Sequence, residues 1–182
     1  MSVLRIALIA ACLGVFGAAD GGADGRSEGQ PVPRMETRSA ITISHFTGKP
    51  VPRFERLRAS EVNGRAGPSL SHPVLWTYGR AGLPVLVIKE SIDWRRVRDP
   101  DGDEVWIHRS LLAGGSTALL VSPATLVRTP EADAAAVADL EAGVVAALLT
   151  CETGWCRIAA GRRKGWVPEA ALWGARVPGD PL

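Results

Sequence analysis

The chain has 182 residues, of which 21 are basic and 19 acidic, so its formal net charge is +2. This near-balance excludes a global electrostatic attraction to nucleic acid or to anionic lipid. The 20 glycines and 13 prolines favour short strands joined by turns. A helical bundle and a large α/β enzyme are therefore both disfavoured.

The first 19 residues have the layout of a secretory signal peptide. One positive charge at Arg5 precedes an apolar run from Ile6 to Phe16, and small residues follow as far as Ala19. We expect cleavage after Ala19, which makes residues 1–19 the signal peptide and places the protein in the periplasm or outside the cell. The apolar run is too short to cross a bilayer as a helix, and no transmembrane span is expected.

Two other interpretations of this segment stay open. Ile9 to Cys12 resembles a lipobox, which would leave Cys12 as a lipid-anchored N-terminus. The third interpretation is an N-terminal helix that the mature protein keeps.

Export also determines how the cysteines are interpreted. Cleavage leaves Cys151 and Cys156, an even pair in a compartment where disulfides persist. Thr153 and Gly154 between them favour a tight turn that brings the two Cα atoms within bridging distance. A disulfide is the expected state; a reduced pair and a zinc site are the alternatives. The three histidines lack ligand spacing to either cysteine, and no metal site is predicted.

The mature chain begins with a segment that is poor in large apolar residues. Residues 20–53 are predicted to be a flexible leader and linker, in which Ile41 to Phe46 adds at most an edge strand. Ordered structure is expected to start near Phe54. The alanine-rich stretch from Glu131 to Ala142 is predicted to be a loop.

A repeat covers the rest of the chain. Two sets of four residues have nearly the same spacing, 12, 12 and 6 in the first and 12, 11 and 6 in the second. They are Gly82, Trp94, Trp106 and Leu112, and then Gly143, Trp155, Trp166 and Leu172. Upstream, Arg65 and Arg128 are taken as equivalent. Two short units with one spacing indicate a duplication.

The motifs inside these units resemble one known family. They are Val62-Asn63-x-Arg65-x-Gly67-Pro68, Trp94-x-x-Val97, Trp106-Ile107-His108, Trp155-x-x-Ile158 and Gly165-Trp166-Val167-Pro168. The pattern resembles the bacterial SH3-like domain family. The resemblance implies an all-β fold of two tandem small SH3-like barrels after a disordered leader, with domains at 54–121 and 122–176 and a tail at 177–182. The chain departs from the pattern at three places: Gly64 replaces an apolar residue, Val105 replaces a glycine, and the second unit lacks the Gly-Pro pair after Arg128.

Strand alternation separates the core residues from candidate ligand-binding residues. If Val97 and Ile107 fill the barrel, Trp94, Arg96, Trp106 and His108 lie on its outer face. The resemblance implies a groove that pairs Trp94 with His108, and a second that pairs Trp155 with Pro168 near Trp166. The alternative is that these tryptophans cover the barrel ends or form the interface between the units.

Binding is the function that these observations favour. The predicted protein is an exported module that recognises cell-wall peptidoglycan, as glycan or peptide. The alternative is a periplasmic adaptor that binds an extended peptide or a partner enzyme. The sequence lacks a phosphate-binding loop, a serine elbow and a metal-spaced histidine pair, so neither catalytic residues nor a cofactor are predicted.

The N-terminal prediction is tested by mass spectrometry of the exported protein. We expect a mature N-terminus at Asp20, because signal peptidase requires small residues such as those that end at Ala19. An intact Met1 would contradict export by this route, and a lipid mass on Cys12 would establish the anchored form instead.

Overall fold

The computed structural model describes residues 5–7 and 41–177, which form an all-β protein of 17 strands and two short 3₁₀ turns. The predicted fold class, two tandem SH3-like units, is confirmed. The predicted cleavage site, Cys12, residues 20–40 of the leader and residues 178–182 of the tail lie outside the described residues. No helical segment within residues 5–7 and 41–177 is long or apolar enough to cross a membrane.

The first unit is an antiparallel sheet of eight strands. The strands and the 3₁₀ turn η1 are β1 (Arg5–Ala7), β4 (Arg53–Leu57), β5 (Val62–Arg65), β6 (Val74–Tyr78), β7 (Pro84–Glu90), β8 (Trp94–Arg98), β9 (Glu104–His108), η1 (Arg109–Leu111) and β10 (Leu112–Ala113). The spatial order is β1-β6-β5-β9-β8-β7-β4-β10. Before this sheet, β2 (Thr42–Ile43) and β3 (Pro50–Val51) form a separate two-stranded hairpin.

The second unit repeats this arrangement with seven strands. They are β11 (Thr117–Leu120), β12 (Ala124–Val127), β13 (Ala136–Leu140), β14 (Val145–Glu152), β15 (Trp155–Ala160), β16 (Arg163–Pro168) and β17 (Leu172–Trp173), with η2 (Glu169–Ala171) before the last strand. The order is β13-β12-β16-β15-β14-β11-β17, so each strand has a counterpart in the first unit.

Two expectations about local structure are corrected. After β1, strands resume at Thr42, before the position near Phe54 where ordered structure was expected to start. The stretch from Glu131 to Ala142 contains strand β13, which pairs with β12. Val137, Ala138 and Leu140 of this strand pack against the second core. Alanine has a low intrinsic strand propensity, so packing against the core stabilises the strand here.

The upstream arginines are not equivalent. Arg65 pairs with Trp106, and the residue that pairs with Trp166 is Val127. Both units have a register shift at this point, before Arg65 and before Val127. Arg128 is therefore one residue beyond the true counterpart of Arg65.

Alternation along the central hairpin of each unit builds the core. In the first unit Val97, Val105 and Ile107 are fully or almost fully buried on one face. In the second unit Ile158 and Val167 do the same. The side chains between them must therefore point to the other face of the sheet.

The two units pack against each other through Trp173. Its indole ring meets Phe54 edge-on at 5.3 Å between ring centroids, and its Nε1 donates a hydrogen bond to the Pro84 carbonyl oxygen at 3.2 Å. Thr117 donates to the carbonyl oxygen of Gly82 at 2.8 Å. Leu119 of β11 belongs to the core of the first unit. The apolar core therefore continues from one unit into the next.

A glycine and a large side chain exchange places between the units. A Cβ built on Gly64 would lie 2.8 Å from Cγ2 of Val105. In the second unit the glycine is on the other strand, and a Cβ on Gly165 would lie 2.8 Å from Cγ of Leu126. Since Gly64 corresponds to Leu126 and Val105 to Gly165, these two departures from the family pattern compensate each other.

This exchange predicts coupled mutations. Gly64→Ala should lower the free energy of unfolding by about 1–3 kcal/mol, because the added methyl group overpacks the core against Val105. Val105→Ala in the same chain should recover much of that loss, with a coupling above about 1 kcal/mol in a double-mutant cycle of urea unfolding.

The second unit supplies the control. Gly165→Ala should not be rescued by Leu126→Ala, because the added Cβ would also lie 2.6 Å from the Val127 carbonyl oxygen, and backbone cannot be trimmed. Equal rescue in both units, or additive effects in the first, would contradict the exchange.

Candidate functional site

The outer face of the β8–β9 hairpin forms a groove, here called groove 1. Trp94 pairs directly with His108, and their rings meet edge-on at 5.3 Å between centroids with an interplanar angle of 81°. Together with Ser69, Leu70 and Asp93 they line a cavity of about 420 Å³. Trp94 is only 8% exposed, whereas Leu70 is 76% exposed. Groove 1 thus combines a rigid aromatic floor with an exposed apolar rim.

The wall of groove 1 is a loop held by Arg65. Its Nη1 donates to the carbonyl oxygens of Leu70 at 3.1 Å and His72 at 2.8 Å. Gly67 lies under the His72 ring, where a Cβ would approach the ring to 2.3 Å. A side chain at this position would have to displace the exposed His72 ring, and Leu70 and Trp94 line the same groove.

His108 is oriented by the turn that follows it. Its Nδ1 accepts a hydrogen bond from the backbone N–H of Ser110 at 3.4 Å and lies 2.7 Å from the Ser110 hydroxyl. The imidazole therefore caps η1 through Nδ1.

The second unit has an equivalent groove, here called groove 2. Trp155 pairs directly with Pro168, in the same register as Trp94 and His108. The two residues line a cavity of about 420 Å³ together with residues that carry no charge, such as Pro123 and Val127. Groove 2 is thus the neutral counterpart of groove 1, which contains Asp93 and His108.

Three other candidate residues share the outer face but line neither cavity. Trp106 lies between Arg65 and Arg96 in one cross-strand row. Arg96 makes an ion pair with Glu104 at 2.8 Å. Trp166 lies between Val127 and Arg157 in the matching row of the second unit. Their rows run beside the grooves rather than into them.

Leu70, Asp93 and Pro123 were not predicted from the sequence as groove residues. Leu70 is in a loop without strand alternation, and Asp93 precedes the first strand residue of its hairpin. A sequence signal exists only for Asp93, since it is adjacent to the predicted groove residue Trp94.

A buried ion network joins β7 to β8 next to groove 1, on the face of β8 opposite Trp94. Glu90 accepts from Arg53 Nη2 at 2.5 Å and from Arg95 Nε at 2.9 Å, and the Thr47 hydroxyl donates to it at 2.7 Å. Arg53 also pairs with Glu55 at 2.6 Å. The side chain of Glu90 is 1% exposed and that of Arg95 is 5% exposed. The network ties the β2–β3 hairpin to the first unit.

In the second unit a disulfide occupies the position equivalent to the Glu90–Arg95 ion pair. Glu90 pairs with Arg95 across β7 and β8, and Cys151 pairs with Cys156 across β14 and β15 at the same register position. The two sulfur atoms are 2.04 Å apart, which confirms the predicted disulfide. Thr153 and Gly154 both have positive φ, as a two-residue type I′ turn requires.

The pKa of Glu90 reflects two opposing effects. Burial raises the pKa, but hydrogen bonds from Ser44, Thr47 and Arg53 and the charge of Arg53 outweigh burial. The net result is a pKa below the ordinary value of 4.5. Glu90 is therefore ionised at neutral pH.

Tandem antiparallel β units, each with an aromatic groove at one register position, define a two-domain protein of the small SH3-like barrel class. Residues 58–114 and 121–174 match the bacterial SH3 domain family, and the chain belongs to that family. No curated protein matches the chain.

Two solved structures are similar over part of their length. One is NlpC2 from Trichomonas vaginalis, with 18% identity and a TM-score of 0.32 over 67% of this chain and 48% of that chain. The other is NlpC1 from the same organism, with 18% identity and a TM-score of 0.31 over 72% of this chain and 48% of that chain. The chain spans about half the length of these two structures.

The ion network predicts an acid-sensitive contribution to stability. Glu90→Gln should lower the free energy of unfolding at pH 7 by about 3–5 kcal/mol, because it leaves Arg95 buried without its charged partner. The stabilising effect of Glu90 is present above its ordinary pKa and is lost as the pH falls through the lowered folded-state pKa. The difference between wild type and variant should therefore shrink in acid.

Urea unfolding at several pH values measures this difference. Glu104→Gln is the matched control, since Glu104 pairs with Arg96 and Arg98 at the surface and its loss should cost about 1 kcal/mol or less. Equal losses for the two variants would mean that the buried network adds nothing beyond a surface pair.

Proposed function

We propose that the protein is an exported, non-enzymatic binding module that recognises cell-wall peptidoglycan through grooves 1 and 2. The observation that carries this proposal is the repeated position of an aromatic groove, with Trp94 opposite His108 and Trp155 opposite Pro168. An indole face in a shallow groove suits stacking on a sugar ring or on an extended peptide. Peptidoglycan offers both of these surfaces.

The charge difference between the grooves supports a composite ligand. Groove 1 presents Asp93 and the His108 ring, so it suits a polar or charged group. Groove 2 is lined by uncharged residues around Trp155, so it suits an apolar or neutral segment. A polymer that alternates sugars with charged peptide stems meets both requirements.

Two lines of reasoning support the remaining parts of the proposal. The disulfide between Cys151 and Cys156 favours an oxidising compartment, in agreement with removal of residues 1–19 by export. The non-enzymatic part of the proposal is supported by the role of His108 and Ser110. These two side chains lie close together, but their contact caps a turn, and groove 2 has Pro168 and Ala170 at the equivalent positions. The feature common to both grooves is aromatic contact. We propose that the two binding units meet at residues 114–116, rather than at the predicted limits of 54–121 and 122–176, because β11 (Thr117–Leu120) pairs within the sheet of the second unit.

An adaptor that binds a partner protein remains the second candidate function. The neutral lining of groove 2, which includes Trp155, Pro123 and Pro168, is of the kind that receives an extended proline-containing peptide. Sacculi from which bound protein has been stripped separate the two functions. Retention of the protein by stripped sacculi supports wall binding, and loss of retention supports the adaptor.

Groove 1 is tested by substitutions that separate binding from folding. Leu70→Ala should weaken binding to soluble peptidoglycan fragments about fivefold, because it removes an apolar rim contact. Its stability should change by less than about 0.5 kcal/mol, since the side chain is largely in solvent. Trp94→Ala should weaken binding by about 2 kcal/mol or more, together with a loss of stability because the ring is buried.

Two controls complete this test, with affinity from titration calorimetry and stability from urea unfolding. Leu149→Ala removes a half-exposed leucine that lines neither groove, and it should leave the affinity unchanged. Trp106→Ala removes the indole beside the groove and should have a smaller effect on affinity than Trp94→Ala. Equal effects of Leu70→Ala and Leu149→Ala on affinity would show that the ligand does not occupy groove 1.

A further inference from the structure

A second cavity of the first unit lies on the other face of β8 from groove 1, since Trp94 lines groove 1 and the next residue, Arg95, lines this cavity. Its volume is about 470 Å³, and it opens between the β2–β3 hairpin and η1. Five basic side chains line it, and we call it the basic cleft: Lys49, Arg53, Arg58, Arg95 and Arg109. Glu55 is the single acidic residue of its lining. The basic cleft and groove 1 share no lining residue.

The acidic side chains around the basic cleft do not neutralise it. Arg53 pairs with Glu55 and Glu90, Arg95 pairs with Glu90 at 2.9 Å, and Arg109 pairs with Asp93 at 2.8 Å. These carboxylates number three against five cations, which leaves an excess of two positive charges. Among the described residues, the side chains of Lys49 and Arg58 have no ion pair or hydrogen bond.

The floor of the basic cleft is a fixed guanidinium group. Arg95 is 5% exposed and is held by Glu90 through Nε and by the carbonyl oxygens of Ser91 and Trp94 through Nη1, at 2.7 and 3.0 Å. Its Nη2 makes no hydrogen bond within residues 5–7 and 41–177. A buried, oriented donor next to two unpaired cations is preorganised for an anion, because little side-chain entropy remains to be lost on binding.

The second unit shows that the barrel does not need these charges. Arg58 donates its backbone N–H to the Leu111 carbonyl oxygen just as Val121 donates to Ala171, so the two positions are equivalent. By strand register Arg95 corresponds to Cys156. Arg109 corresponds to Glu169, because each donates its backbone N–H to the carbonyl oxygen of the residue before the tryptophan of its unit. Three cations of the first unit are thus replaced by an apolar residue, a disulfide and an acid. The charge is a property of the first unit and not of the fold.

We propose that the basic cleft binds an oxyanion, a carboxylate or a phosphate group, separately from the ligand of groove 1. Arginine guanidinium groups match the planar carboxylate and the phosphate equally well through paired N–H donors. Arg58 and Lys49 approach the anion from the rim, and Arg95 Nη2 approaches it from the floor. Arg109 is held beside them by its ion pair with Asp93.

The test is titration calorimetry on the exported chain with two probes, inorganic pyrophosphate and citrate, at about 50 mM salt, where surface charges are weakly screened. Arg58→Gln should weaken binding about tenfold, because it removes a charge-assisted hydrogen bond. Its melting temperature without probe should be unchanged, since Arg58 has no partner to lose. Lys49→Gln should weaken binding by a smaller factor, because an ammonium group lacks the bidentate geometry.

Arg162→Gln is the matched control, because it removes one exposed positive charge from the β15–β16 turn of the second unit. Its affinity should stay within about twofold of wild type, as expected for a distant screened charge. Binding of pyrophosphate alone identifies a phosphate site, and binding of citrate alone identifies a carboxylate site.

Two results overturn the proposal. One is the lack of binding of either probe at millimolar concentration, and the other is an equal loss in Arg58→Gln and Arg162→Gln. The Leu70→Ala variant distinguishes this proposal from the proposed function. This variant should bind both probes with wild-type affinity. A loss of peptidoglycan binding at groove 1 and a loss of anion binding at the basic cleft can therefore be measured separately.

Discussion

The two-residue period of the β8–β9 hairpin is the constraint on which the rest of the structure depends. Val97, Val105 and Ile107 fill the barrel, so Trp94 and His108 have to project from the opposite face. A one-residue slip would bury the imidazole and expose the core. The same pairing in β15 and β16 positions Trp155 against Pro168. In each unit, one strand pairing therefore positions both the core side chains and the groove side chains.

The two units keep this hairpin and differ in what surrounds it. Glu90 and Arg95 join β7 to the first hairpin by charge, and Cys151 and Cys156 join β14 to the second by a covalent bond. A buried ion pair requires further hydrogen bonds to offset desolvation, and the β2–β3 hairpin supplies one through Thr47. The disulfide needs no such support. Within the described residues, the β2–β3 hairpin therefore accompanies the unit that has the ion pair and not the unit that has the disulfide.

The sequence predicted what depends on local spacing. The Cys151–Cys156 bridge and the duplication follow from residues a fixed distance apart in the chain, and the Trp94–His108 pairing was implied by the family resemblance. The strand at Ala136–Leu140 was missed because its alanines gain their strand preference from the core that they cover. The ion network brings Arg53 to Glu90 across a distant strand pairing, which no local pattern contains. Trp173 differs from these residues because its position breaks the repeat within the sequence itself. Its counterpart in the first unit is Ala113.

The contact that Trp173 makes has a consequence for any ligand long enough to reach both grooves. Only residues 114–116 connect the last strand of the first unit to the first strand of the second, and the indole of Trp173 packs across the junction. The distance between the grooves is therefore set by the protein and not by a flexible tether. Once a ligand is bound at one groove, its effective concentration at the other groove is high only if the repeat of the ligand matches that distance. Under the proposed function, avidity for a polymer therefore depends on how closely its repeat spacing matches the distance between the two grooves.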